Sequence, residues 1–94
     1  MLNTVKKALR INHNALDDDI LMNIETACTD AVRAGVPVEI MTDYTNPLVC
    51  SLIKTYCLYA YADKDNSQRY YESYTYQLEN LRKSRSLLVL GGVE

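Results

Sequence analysis

The stretch Asn46–Asp63 reads NPLVCSLIKTYCLYAYAD and is apolar on almost every side of any helix it can form. Asn46 is a typical N-cap, and Pro47 suits the first helical position, where its missing N–H removes no hydrogen bond. A thin polar strip of Ser51, Lys54 and Thr55 interrupts the apolar surface. Because a helix that is apolar nearly all round must be covered by neighbours, we predict that this is the central buried helix of a bundle.

The same stretch is a poor membrane span. About 20 apolar residues are needed to cross a bilayer, whereas Lys54 interrupts this stretch and charged residues close it from Asp63 onwards. The opening MLNTVKKALRIN also lacks the apolar segment of a signal peptide. We therefore expect a protein that is neither exported nor anchored in a membrane.

Length and charge limit the choice of function. The chain has 94 residues, with 10 Lys and Arg against 12 Asp and Glu, giving a formal charge of −2. We predict a single domain over residues 1–94, without the positive field that attracts nucleic acid. A chain of this size buries only about two-thirds of its unfolded surface, so contact with further copies would add stability.

Two helices are predicted before the central one. A short helix runs from an N-cap at Asn3 to Arg10, and a longer one runs from Asp17 until Gly35 ends it. The longer helix has one apolar stripe at helical spacing, formed by Ile20, Leu21, Ile24, Ala27, Cys28, Ala31 and Val32.

The remaining segments complete an all-α prediction. Residues 36–45 form a partly extended connector, and KDNSQ at 64–68 forms a turn before a fourth helix. That helix pairs Glu79 with Lys83, and its apolar face consists of Tyr71, Tyr74, Leu78 and Leu81. The fold class is a small bundle of about four helices, one short N-terminal and three long, with an apolar C-terminal tail, LLVLGGVE.

Residues that could carry chemistry form no recognisable site. The acidic run Asp17–Asp19 fits helix capping better than metal binding, because no calcium-type loop follows it. His13 is the only histidine, and the cysteines lack zinc spacing and serve as reduced packing residues: Cys28, Cys50 and Cys57. We predict no catalytic, cofactor-binding or metal residues, no cofactor and no enzymatic activity.

The aromatic residues are all tyrosines: eight Tyr, no Phe and no Trp. Four lie on apolar helix faces and are predicted to pack in the core, namely Tyr56, Tyr59, Tyr71 and Tyr74. Tyr61, Tyr70 and Tyr76 are harder to place inside, and we predict that they belong to a protein interface. Stacking on nucleic acid bases is the alternative use of tyrosines.

A helix-turn-helix DNA-binding regulator is the competing hypothesis for function. Residues 36–45 are too long for its turn of three or four residues. The turn at 11–16 is closer in length, but three aspartates begin the helix that follows it and would face phosphates.

Three stretches together resemble the head-tail connector family of tailed bacteriophages, also labelled DNA-packaging or head-completion proteins. VKKALRINHNALDDDILMNIETA resembles the short helix, turn and acidic long helix with which these proteins begin. NPLVCSLIKTYCLYAYADKDNSQRYYESYTYQLENLRKSRSLLVLGG is similar to their second half, with an Asn-Pro-Leu helix start and a Ser/Leu tail ending at Gly.

The resemblance implies a structural adaptor that forms a ring with copies of itself, dodecameric on the portal. Such a ring attaches below the portal protein, extends the DNA channel and presents a platform for the next neck or tail-completion protein. DNA is then only non-specific channel content. The expected location is the virion neck, and the host bacterial cytoplasm during assembly.

The C-terminal tail is the last predicted interface. Leu87, Leu88, Val89 and Leu90 are consecutive apolar residues without an obvious place in a four-helix core. They either fold back on their own bundle or dock on a neighbouring subunit or the portal, with Gly91 and Gly92 allowing the backbone to turn.

Overall fold

Five helices follow one another in the computed structural model, which describes the backbone of residues 1–93 and the side chains of residues 1–83. They are α1 (Leu2–Leu9), α2 (Asp17–Ala34), α3 (Val38–Met41), α4 (Pro47–Tyr61) and α5 (Lys64–Val93). No strand occurs within residues 1–93, and the predicted all-α bundle is confirmed.

The central position of α4 is also confirmed. It packs against α1, α2 and α5, and four of its side chains are fully buried: Val49, Leu52, Ile53 and Cys57. The Asn46 side chain caps the helix by accepting a hydrogen bond from the Leu48 N–H at 2.9 Å, and Pro47 occupies the first turn. Sequence signals at the start of α4 therefore identify it correctly.

Two residues of the α4 polar strip, Ser51 and Thr55, lie in the contact with α5. Ser51 Oγ donates to Gln77 Oε1 at 2.7 Å, and Gln77 Nε2 donates to Thr55 Oγ1 at 2.9 Å. Thr55 is only 6% exposed. The hydroxyls of Ser51 and Thr55 are thus paired with Gln77 of α5, a pairing that the sequence pattern did not reveal.

The boundaries of α2 agree with the prediction, whereas the N-cap of α1 differs from it. Gly35 ends α2 with φ of 117°, a left-handed conformation that glycine adopts without a Cβ clash. Helix α1 begins at Leu2 with Met1 at the N-cap position and no side-chain cap hydrogen bond. The predicted Asn3 cap is therefore wrong, because the helix already includes that residue.

Three further boundaries differ from the sequence pattern. The connector is extended at Pro37, where ψ is 142°, but the four-residue helix α3 then follows. The predicted KDNSQ turn is wrong, because α5 already begins at Lys64, five residues before the predicted start, and Asp63 Oδ1 accepts the Asn66 N–H at 2.9 Å in its first turn. At its other end α5 continues to Val93, so the predicted separate tail is part of this helix.

Candidate interaction surface

Within the described residues, the candidate functional features are surfaces. Within residues 1–83, no group of three or more His, Cys, Asp or Glu side chains could hold a metal ion. His13 is an exposed turn residue whose Nδ1 accepts the Ala15 N–H at 3.2 Å. In the part of the chain that the structure describes, no helix has the length and apolar character required to cross a bilayer.

The acidic run at the start of α2 ties helices together. Asp17 forms an ion pair with Lys6 of α1 at 2.8 Å, and the Lys6 ammonium also donates to Asn14 Oδ1 at 2.9 Å. Asp19 accepts a hydrogen bond from the Tyr61 hydroxyl at the end of α4. The three carboxylates lie in the first turn as expected, but two of them also have long-range partners that the sequence pattern did not indicate.

Tyr61, which we predicted at an interface, has partners within its own chain. Its hydroxyl donates to Asp19 and accepts from Asn23 Nδ2 at 3.1 Å, while its ring packs against the core. Burial, followed by the hydrogen bond to Asp19, raises the pKa of Tyr61 to about 12. These contacts within the chain explain Tyr61 without an interface. Its role in an interface stays a prediction.

The other predicted interface residues differ in how much surface they offer. Tyr76 is 68% exposed on α5, whereas Tyr70 is half-buried, with the Arg69 guanidinium 5.2 Å from its ring centroid. The side chains of Leu87, Leu88, Val89 and Leu90 lie outside the described side chains. Tyr76 is therefore the predicted interface tyrosine that the structure leaves most accessible.

A concave surface lies between α2 and α5, with tyrosines of α4 between them, and we call it the tyrosine groove. Its volume is about 730 Å³. Its lining residues are Met22, Glu25, Thr26, Thr29, Asp30, Arg33, Tyr56, Tyr59, Tyr71, Tyr74, Thr75 and Leu78.

The four tyrosines of the groove contact one another. Ring centroids are 5.3 Å apart for Tyr56 and Tyr74, 5.3 Å for Tyr59 and Tyr71, and 6.1 Å for Tyr56 and Tyr59. Tyr74 is 3% exposed, as predicted for a core residue, but Tyr71 is 46% exposed, so its predicted core position is wrong. Tyr71 lines the groove, where its ring contacts Tyr59 and stays partly uncovered.

A carboxylate on the α2 wall interacts with this cluster. The Tyr74 hydroxyl donates to Asp30 Oδ2 at 2.5 Å. Burial raises the pKa of Tyr74, and the hydrogen bond to Asp30 raises it further. Burial also raises the pKa of Tyr56, with the negative charge of Asp30 as the next cause. The groove therefore combines aromatic rings with a negative charge held at a fixed place.

A smaller apolar depression of about 250 Å³ lies between α2 and α3, lined in part by Cys28, Val32 and Val38. Cys28 Sγ is 3.8 Å from the Met41 carbonyl oxygen and 3.9 Å from the Tyr44 hydroxyl. Burial raises the pKa of Cys28, and it raises the pKa of Cys57 to about 11. Both thiols are free and stay protonated at neutral pH, which lowers their reactivity.

The sequence model of phage connector proteins matches residues 1–86. The chain belongs to the phage connector protein family. The match covers α1 to α4 and α5 as far as residue 86, and it confirms the resemblance found in the sequence. Membership supports a connector role in a bacteriophage and a place among virion components. Searches of curated proteins and of solved structures give no significant match for this connector.

Sequence reasoning missed the α2 wall of the tyrosine groove. Asp30 lies beside the apolar stripe and is half-buried. Met22 is 67% exposed although it is large and apolar. An acidic residue beside the stripe and an apolar residue outside it are signals that the pattern did contain. Their meaning depends on the tyrosines of α4 and α5, which are distant in sequence.

Proposed function

We propose that this connector is a structural adaptor that forms a ring, dodecameric on the portal, below the phage portal protein. The ring extends the DNA channel and links the head to the next neck or tail-completion protein. The observation that carries this proposal is the family match over residues 1–86. The proposed role is mechanical and needs no catalysis or cofactor.

The exposed apolar side chains support self-association of the subunit. Large apolar residues with more than a third of their surface exposed are Leu21, Met22, Val32, Val38, Tyr44, Leu48, Tyr71 and Tyr76. Tyrosine and methionine are enriched in protein interfaces, and a closed ring requires that one patch binds a different patch on the next copy. Contacts between copies would cover surface that is unfavourable in a free subunit.

The charge of the chain also suits a conduit. A formal charge of −2 gives the connector no overall attraction for DNA phosphates, so DNA could slide past a ring of such subunits. Tight, salt-sensitive DNA binding would instead hold the genome in place. This supports an adaptor over the alternative of a small DNA-binding regulator.

The apolar run at 87–90 completes the proposal. We expect Leu87, Leu88, Val89 and Leu90 to dock on a neighbouring subunit or on the portal, since an exposed apolar run favours aggregation. Tyr76, and with less surface Tyr70, would contribute to contacts between subunits.

The experiment combines the purified connector with portal rings from the same phage. Light scattering measures the mass of the complex, and electron microscopy shows where the added density lies. We expect one extra ring at a single end of the portal, with its channel coaxial with that of the portal. An absence of portal binding together with salt-dependent binding of duplex DNA would favour the regulator instead.

A further inference from the structure

The tyrosine groove has the composition of a site for cationic side chains. Tyr59 and Tyr71 offer ring surface at its rim, and Glu25 and Asp30 provide carboxylates on its α2 wall. A cation is attracted both by the negative face of an aromatic ring and by a nearby carboxylate. Asp30 is already held by the Tyr74 hydroxyl, so this charge needs no reorganisation when a cation arrives.

The distribution of charge along the groove indicates where cations would lie. Arg33 lines the C-terminal end of the α2 wall, and Met22 and Glu25 line the N-terminal end. Since Arg33 repels cations, the favourable region extends from Glu25 to Asp30, beside Tyr59 and Tyr71.

Helix α1 has a complementary surface. It contains no acidic residue, and its exposed side chains are Asn3, Thr4 and Lys7, with Arg10 exposed at its C-cap. Asn3, Lys7 and Arg10 are spaced i, i+4 and i+7, which places them on one side of the helix. Among the ion pairs of residues 1–83, neither Lys7 nor Arg10 takes part in one.

Helix α1 contacts α2 on the side away from the groove wall around Thr26. It contacts α2 through the ion pair between Lys6 and Asp17. Thr26, which lines the groove, follows Asp17 by nine residues and therefore points to the opposite side of α2, because each residue turns the helix by about 100°. The cationic face and the groove lie on opposite sides of α2.

We propose that Lys7 and Arg10 of one connector copy bind in the tyrosine groove of the next copy. This inference rests on the proposed ring, and it names two of the surfaces that join neighbouring subunits. Because the two surfaces lie on opposite sides of α2, the contact is heterologous: each copy uses its α1 in one direction and its groove in the other. Repeated contacts of this kind close into a ring when the rotation between copies allows it.

Two complementary variants test the contact. Lys7→Glu with Arg10→Glu reverses the charge of α1 and leaves the groove intact. Tyr71→Lys places a cation at the rim of the groove and leaves α1 intact. Because all three residues are exposed, the fold should tolerate these changes, and the NMR spectrum of each variant reports this directly.

The measurement is a titration of the ¹⁵N-labelled α1 variant with the unlabelled Tyr71→Lys variant. We expect saturable chemical-shift changes at backbone amides of the groove such as Thr26, Asp30 and Thr75. The complex should be a heterodimer with one copy of each variant. With the labels exchanged, the shifts should move to α1. Each variant alone should associate with itself at least about tenfold more weakly than the wild type, since a single desolvated cation site is worth about that factor.

A matched control keeps the test specific. Lys64 and Lys83 are exposed and lie outside the groove and α1, so Lys64→Glu with Lys83→Glu should assemble like the wild type. The inference is overturned if the mixed variants give no shifts, if the shifts lie outside the groove and α1, or if each variant alone assembles normally. Failure of the proposed function is read separately, from wild-type connector that does not bind portal rings.

Discussion

The two sides of α4 differ in chemistry. On one side, Ser51 and Thr55 form hydrogen bonds with Gln77 of α5, and Gln77 Nε2 also lies 3.2 Å from Ser73 Oγ. On the opposite side, Ile53 and Cys57 are fully buried in an apolar cluster that includes side chains of α1 and α2. An apolar contact supplies most of the stabilisation and tolerates small shifts, whereas a satisfied polar network favours one register. We infer that the apolar side holds the subunit together and that the polar side fixes how α4 and α5 align.

The largest expected effect comes from placing a charge on the apolar side. Leu52→Asp or Ile53→Asp should unfold the subunit, because both positions are 0% exposed and the carboxylate would have no partner. Circular dichroism of the purified variant measures the loss of helix. Leu48→Asp is the control, since Leu48 is on the same helix but 55% exposed. A soluble, fully helical Leu52→Asp protein would show that the apolar side is not essential.

The next largest effect is expected on assembly. A deletion tests whether the C-terminal end of α5 is needed for folding of the subunit or for formation of the ring. Deleting residues 87–94 should leave a helical, soluble monomer that no longer enters rings or binds portal. Circular dichroism and light scattering distinguish the two roles. If the truncated chain assembles normally, or does not fold, the docking role proposed for this segment is lost.

Breaking the polar side should have a moderate effect. Gln77→Ala leaves Ser51 and Thr55 without their partner, and a buried unsatisfied polar group costs about 1–3 kcal/mol. Urea denaturation measures the change, and Gln68→Ala on the exposed part of α5 is the control. Replacing all three together, with Ser51→Ala, Thr55→Val and Gln77→Leu, should recover most of the lost stability. If the triple variant is less stable than Gln77→Ala, the hydrogen bonds of the network stabilise the fold beyond merely pairing these three polar side chains.

A smaller effect is expected at high pH, where hydroxyls that link α4 and α5 to α2 lose their protons. The folded-state pKa of Tyr61 is about 12, above the ordinary value of 10.0. The stabilisation from Tyr61 is therefore complete below pH 10 and is lost as pH rises through about 12. We expect the free energy of unfolding to fall over this interval, and Tyr61→Phe to reduce the fall. An unchanged pH dependence in Tyr61→Phe would contradict the assignment.

The local elements of this fold could be predicted from sequence, while the contacts between them could not. The Asn46-Pro47 start of α4 and the Gly35 end of α2 depend on residues within one turn, and both are confirmed. The bonds from Tyr61 to Asp19 and from Tyr74 to Asp30 join residues 42 and 44 positions apart. Periodicity assigns a residue to a face of its own helix but does not identify the neighbour of that face.

The same reason explains what the sequence missed about two tyrosines. Tyr71 is at an apolar position of α5, but in the folded chain it is 46% exposed and lines a groove to which α2 and α4 also contribute. Tyr61 has no evident partner in the sequence, because the residues that pair with its hydroxyl, Asp19 and Asn23, belong to α2 and are distant along the chain. The family match identifies the kind of protein but names no partner for an individual side chain.

The short link of Ala62 and Asp63 between α4 and α5 has a consequence for the order of folding. Closing so short a loop loses little chain entropy, so the two helices should meet within microseconds once both are available. On a ribosome, however, they emerge after α1 and α2, which are synthesised without the helix that covers their apolar sides. We expect α1 and α2 to remain loosely ordered until α4 and α5 have also left the ribosome, and the subunit to become stable only then.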